Sequence, residues 1–152
     1  MTSHQNYLDN SNFKKLVPYV FLIWILDIIF TIIIKIGLEG EFSPGVHGAS
    51  LLSHQIRILI RIGIAFCMAG IILYVVKHYT SKDLWLTGLL WLTLVLIFEW
   101  GGSLIIGRTV EDILIGWNIF QGYFWVYFLI AVFVSPFVMG TFVIPKILKT
   151  KN

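Results

Sequence analysis

The run Phe120–Ile144, FQGYFWVYFLIAVFVSPFVMGTFVI, contains no Asp, Glu, Lys or Arg in 25 residues. A helix needs roughly 20 apolar residues to cross about 30 Å of hydrocarbon, and this run supplies them. Three further stretches qualify: Leu16–Leu38, interrupted by Asp27 and Lys35; Leu52–Val76, with Arg57 and Arg61 near its start; and Leu84–Ile106, which contains Glu99. None alternates as barrel strands do, and all are too long for barrel strands. The sequence therefore predicts an all-α integral membrane protein. Its expected architecture is an antiparallel four-helix transmembrane bundle, with residues 1–152 forming a single domain.

Composition agrees. The 152 residues are 58% hydrophobic and 12% charged, with a mean hydropathy of +0.88. A soluble domain carries about 25% charged residues, so a water-facing surface cannot be built here. Soluble enzymes, disordered regulators, disulfide scaffolds and nucleic-acid-binding domains are excluded. The net charge of +3 and pI near 9.1 reflect basic residues at the flanks of the spans, and no nucleic-acid partner is expected. Cys67 is the single cysteine, which excludes an intramolecular disulfide and paired-thiol redox chemistry. The polar residues before the first apolar run, and the length of that run, do not fit a signal peptide, so the first span is expected to be retained.

Orientation follows from the basic residues. Lys14 and Lys15 precede the first span, Lys77 and Lys82 flank the turn after the second, and Lys146, Lys149 and Lys151 follow the fourth. On the opposite side stand Arg108, with Lys35 and Arg57 just inside the hydrocarbon. The positive-inside bias predicts the cell (cytoplasmic) membrane with both termini cytoplasmic. Of the two outer segments, Gly37–Ser53 holds Gly40, Pro44, Gly45 and Gly48 and reads as an irregular loop. The other predicts a short interfacial helix over about 110–117. Val110, Ile113, Leu114 and Trp117 share one face of it, and Thr109 with Asp112 forms a capping box.

Charges within the hydrocarbon cost at least about 2.5–3.5 kcal/mol each and demand an explanation. His54, Arg57 and Arg61 lie at i, i+3 and i+7, within about 60° of one helix face. At about 1.5 Å per residue, Arg57 lies roughly 7 Å and Arg61 roughly 13 Å below the outer end. Glu99 lies roughly 10 Å below the outer end of the third span, and Asp27 is near the middle of the first. Matched depths predict the ion pairs Glu99–Arg57 and Asp27–Arg61. One reading is an outward-opening polar site in which arginines hold an anionic solute, a lipid headgroup or a partner helix, since the guanidinium fork suits carboxylate and phosphate. The other is that two acids and two arginines neutralise each other and fix helix register.

Other features point less far. His54 lacks the second inward histidine that haem would need, so no cofactor or metal is expected. Lys35 is placed to snorkel toward the interface. Gly63/Cys67 and Ala65/Ala69 are small-xxx-small pairs that permit close helix approach and mark a candidate homodimer seam. Pro136 is expected to kink the fourth span. GxSxG, HExxH, CxxC and phosphate-cradling glycine motifs do not occur, and Ser53, Ser103 and Thr31 have no base at a suggestive spacing. A non-enzymatic protein is expected.

From about Leu52 to Gly140 the chain resembles a group of uncharacterised small four-helix bacterial membrane proteins. The resemblance rests on Phe98-Glu99, Gly107, Thr109-Val110-Glu111, Leu114, Gly116-Trp117-Asn118, Gly122, Pro136 and His54-Gln55-Ile56. Val110 and Gly116 depart from the Trp and Asp that the group carries there. The resemblance implies no activity, but it directs attention to Gln55, Glu99, Glu111, Trp117 and Asn118. Together with His54, Arg57 and Arg61 these form the candidate ligand-binding set. Two alternatives differ in class. An oligomeric transporter or channel would use Asp27, Arg61 and Glu99 as a path; a structural or accessory subunit of a membrane complex would use them as counter-ions.

Overall fold

The computed structural model describes residues 12–39, 51–105 and 107–150. Of the expected loop Gly37–Ser53, residues 37–39 and 51–53 are instead helical, and residues 40–50 lie outside the described ones, as does the Lys35 side chain. The described elements are α1 (Phe13–Glu39), α2 (Leu51–Val76), α3 (Ser81–Ile105), α4 (Val110–Ile115), a 3-10 turn (Ile119–Gln121), α5 (Trp125–Val138), a π turn (Met139–Val143) and α6 (Ile144–Thr150). Among the described residues there is no strand. Four helical segments are long and apolar enough to cross a membrane: Phe13–Ile34, Leu51–Val76, Ser81–Ile105 and Trp125–Ile147. This is a multi-pass helical bundle.

α1 and α5 each pack on both α2 and α3, which places α2 and α3 across the bundle from one another. The core between them is built from Leu16, Val20 and Ile23 of α1, Ile58 and Leu73 of α2, Trp91 and Val95 of α3, and Phe128 and Val132 of α5. The outward faces are apolar as well, with Leu22, Ile33, Ile71, Leu89 and Ile97 exposed. A helix apolar on all sides is stable only where its surroundings are also apolar, as in a bilayer. Ala65 and Ala69 face the core, whereas Gly63 and Cys67 face outward.

Local chemistry fixes the ends. Lys77 adopts a left-handed conformation (φ 58°) and its N–H reaches back to the Leu73 carbonyl at 3.0 Å, closing α2. Thr80 and Asp83 then form a reciprocal cap on α3. Asp83 Oδ2 accepts from the Thr80 N–H at 2.9 Å, and Thr80 Oγ1 accepts from the Asp83 N–H at 3.2 Å. The same fully buried carboxylate accepts from the Asn12 N–H at 3.2 Å, joining the start of α1 to the start of α3.

The fourth span starts at Trp125 rather than at Phe120. The Asn118 side chain accepts from the Gln121 N–H, and Gly122 follows in a left-handed conformation (φ 86°), so the chain turns before it can enter a helix. Farther along, Pro136 lacks the N–H that would meet the Val132 carbonyl. The Ser135 hydroxyl donates to that carbonyl instead, at 3.3 Å. The helix then widens into the π turn, where Tyr79 Oη donates to the Gly140 carbonyl at 3.3 Å. Burial raises the Tyr79 phenol above its ordinary pKa, which keeps this donor protonated.

At Gly88 α3 lies so close to α5 that a Cβ would run into the Phe133 backbone carbonyl. Gly88→Ala must push the two spans apart and is expected to lower stability by about 1–3 kcal/mol. Gly102→Ala, where a Cβ meets nothing within 4 Å, is the matched control and should fall within about 0.5 kcal/mol of the parent. Thermal unfolding of both variants in detergent reads the difference.

Candidate functional site

The polar residues of α2 occupy one buried stripe. His54 is 3% exposed, and Arg57 and Arg61 are each 7% exposed. They lie on the part of α2 that faces α1 and α5, and the two arginines have different surroundings.

Arg61 is held at two points by Asp27 of α1. Nη2 donates to Oδ2 at 2.7 Å and Nε donates to Oδ1 at 3.3 Å. Its guanidinium carbon lies 4.0 Å from the centre of the Phe128 ring and 5.3 Å from that of Trp125. A weakly hydrated planar cation between a carboxylate and aromatic faces is the arrangement in which arginine tolerates burial. The expected Asp27–Arg61 contact is therefore present as geometry, and its charge sums to zero.

Arg57 sits one turn nearer the start of α2, with Nη2 at 3.3 Å from His54 Nδ1. A guanidinium has only donors, so Nδ1 must be the acceptor and the imidazole proton is assigned to Nε2. Nε2 is buried and has no hydrogen-bond partner among the described residues. The His54 ring packs edge-on against Tyr123, with centroids 5.3 Å apart. Beside it, Gln55 Nε2 donates to the Gly122 carbonyl at 3.0 Å and fastens α2 to the turn before α5. The first turn of α2 therefore presents a buried N–H donor next to a cation, under an aromatic ring.

The expected Glu99–Arg57 pair is corrected. Glu99 Oε1 lies 4.0 Å from Arg108 Nη1, and Arg57 turns to His54. The physical reason is the packing order: α2 and α3 sit across the bundle, so equal depth does not bring their side chains together. Arg108 follows directly after α3 and folds back on it, donating to Ser103 Oγ at 3.1 Å and to the Asp112 carbonyl at 2.9 Å. Glu99 is about a third exposed (32%), so this contact is a weak one.

The remaining candidates separate. Trp117 packs against Trp100 at 6.4 Å on the α3–α4 side. Asn118 serves the 3-10 turn, and Glu111 is exposed on the first turn of α4. The Thr109–Asp112 capping box forms, while the expected stripe divides, with Ile113 buried and Val110 and Leu114 exposed. The set thus resolves into a His54–Gln55–Arg57 group against α5, a deeper Asp27–Arg61 pair, and a Glu99–Arg108–Trp117 group near α4.

Sequence reasoning missed Tyr123, Trp125 and Phe128, which read as ordinary span aromatics. Spacing along the aromatic run was the available signal, because Trp125 and Phe128 at i, i+3 share one face. Among the described residues no three His, Cys, Asp or Glu side chains gather as a metal site would require. Compared with protein-family models, curated proteins and solved structures, the chain gave no match.

Removing one partner of the deep pair strands a charge. Asp27→Leu is expected to destabilise the protein by about 3–5 kcal/mol, and Asp27→Leu with Arg61→Leu by distinctly less, because the double variant leaves no buried ion. Glu99→Gln should stay within about 1 kcal/mol of the parent. Unfolding midpoints of the four proteins in one detergent, wild type included, give the comparison.

Proposed function

We propose that this chain is a small, non-enzymatic, multi-pass protein of the cytoplasmic membrane that binds an anionic group at the His54 site between α2 and α5. In this reading the spans alternate in direction and both termini are cytoplasmic. α4 lies in the outer interface, with Val110 and Leu114 toward lipid and Glu111 toward water. The hydrogen bonds Asn12 to Asp83 and Tyr79 to Gly140 support the alternation, since they join the start of α1, the α2–α3 turn and the π turn at one end. The bond from Gln55 to Gly122 joins the starts of α2 and α5 at the other. Lys14, Lys15, Lys77, Lys82 and Lys146 belong to the first end, which supports its being cytoplasmic.

The observation that carries the binding reading is the buried His54 N–H. Leaving such a donor unmade costs about 1–3 kcal/mol, and an acceptor on a ligand removes that cost. Arginine on the same stripe suits carboxylate and phosphate through its planar fork, which supports an anionic ligand. The Asp27–Arg61 pair favours a structural role for the deeper part of α2, so helix register and binding divide along one stripe.

Native mass spectrometry of gently extracted protein tests the reading. The parent should retain a bound adduct that His54→Phe loses and His54→Gln, which keeps an N–H donor, retains in part. Bare parent protein would exclude a binding role. Orientation is read separately: a reporter active only outside the membrane should be silent when fused after Lys146 and active when inserted at Gly116.

A further inference from the structure

We propose a second site at the lysine-bearing end of the bundle, where the α3–α5 seam binds one anionic phospholipid, its phosphate at Lys82 and an acyl chain along Trp85 and Leu89. The site is separate from His54 and does not rest on the binding reading above. Lys82, Trp85 and Leu89 follow at i, i+3 and i+7, within about 60° of one another around α3. All three are exposed, Trp85 by 40% and Leu89 by 51%. On α5, Ile130, Phe133 and Phe137 repeat that spacing, and Ile130 is 52% exposed. The two stripes meet at Trp85, whose ring stacks on Phe137 with centroids 4.5 Å apart and tilts against Phe133 at 5.2 Å. The indole is held from one side and open on the other. It is a preorganised platform, so little side-chain freedom is lost when an acyl chain lies on it.

The order of these residues across the membrane matches a lipid. α3 has 25 residues, about 38 Å at 1.5 Å per residue, which exceeds the roughly 30 Å of hydrocarbon by about 8 Å, or about 4 Å at each end. Lys82 is about 1.5 Å from the start of α3 and stands in the headgroup layer. Trp85 is about 6 Å from that start, at the hydrocarbon boundary, and Leu89 is about 12 Å from it, among the acyl chains. Charge selects the occupant. Lys14, Lys15, Lys77 and Lys82 are exposed at this end, whereas Asp83, the one acid there among the described residues, is fully buried in the α3 cap. Lys82 has no ion pair among the described residues. A second copy pairing along this face about a two-fold axis parallel to the helices would set Lys82 against Lys82. Inorganic phosphate would gain nothing from Trp85 and Leu89. An anionic phospholipid brings a negative charge above an apolar chain, which is the pattern of the seam.

The experiment uses the full chain, delipidated in detergent and titrated separately with phosphatidylglycerol, phosphatidylcholine of the same chains and inorganic phosphate, with bound species counted by native mass spectrometry. Phosphatidylglycerol should be retained at least about 5-fold more tightly than either of the others, the worth of one lysine at an anionic lipid surface. Lys82→Gln changes an exposed side chain, so the fold is kept. It should lower phosphatidylglycerol affinity by about 5-fold and leave phosphatidylcholine unchanged, and Lys82→Arg should retain the parent's preference. Trp85→Leu should weaken both lipids alike by a few-fold. His54→Phe should leave the Lys82-dependent retention intact, which keeps the two sites distinguishable. Equal retention of phosphatidylglycerol and phosphatidylcholine would overturn the anionic headgroup, and equal retention of inorganic phosphate would overturn the lipid. Retention of none of the three, or phosphatidylglycerol binding that Lys82→Gln does not alter, would overturn the site.

Discussion

A carboxylate and a guanidinium meeting at 2.7 Å inside an apolar bundle, Asp27 with Arg61, is the contact on which the register of these helices depends. Neither group is tolerable alone at that depth, because no water is present to replace a lost partner. Sliding α1 along α2 by one residue would shift the carboxylate by about 1.5 Å and swing it by about 100° around the helix, so the two-point contact would be lost. Apolar packing would oppose such a slide only weakly, since lipid is as good a neighbour for leucine as another helix is. The aromatic faces of Phe128 and Trp125 extend the constraint to α5, so three spans are tied through one guanidinium.

Each end of the bundle is closed by polar chemistry of a different kind. At one end the buried Asp83 carboxylate accepts from α1 and from its own helix cap. At the other, Arg108 gathers Ser103, the Asp112 carbonyl and Glu99, and Gln55 holds the Gly122 carbonyl. Between the ends, Gly88 brings the backbones of α3 and α5 into contact. Apolar area supplies the environment, whereas these few contacts decide which helix lies beside which.

Sequence legibility follows that division. Span number and approximate bounds were readable because length and the absence of charge are one-dimensional signals. The Asp27–Arg61 contact was readable because α1 and α2 do pack side by side, so matched depth selects the pair. The same arithmetic failed for Glu99 because α2 and α3, although consecutive, lie across the bundle, and nothing in hydropathy reveals that order. The start of the fourth span was misplaced by five residues. Phe120 and Tyr123 look like span residues until the Asn118 cap and the left-handed Gly122 are seen to turn the chain. Tyr123 entered the site unannounced for the same reason.

The two arginines of α2 show how a charge sum on a sequence differs from the arrangement in space. Summed over the stripe, Asp27, Glu99, Arg57 and Arg61 cancel, which favours a purely structural account. In space the acids are partitioned: Asp27 is committed to Arg61, and Glu99 faces Arg108 on another side of the bundle. Arg57 is then distinguished by what it does to its neighbour. By presenting donors to His54 Nδ1 it obliges the ring to carry its proton on Nε2, which converts a versatile side chain into a donor of fixed direction. A buried donor whose direction is set by a cation is costly to maintain for stability alone, since an apolar residue of similar size would fill the space without it. The stripe therefore divides by chemistry, with a donor of fixed direction near the start of α2 and an ion pair about two turns deeper.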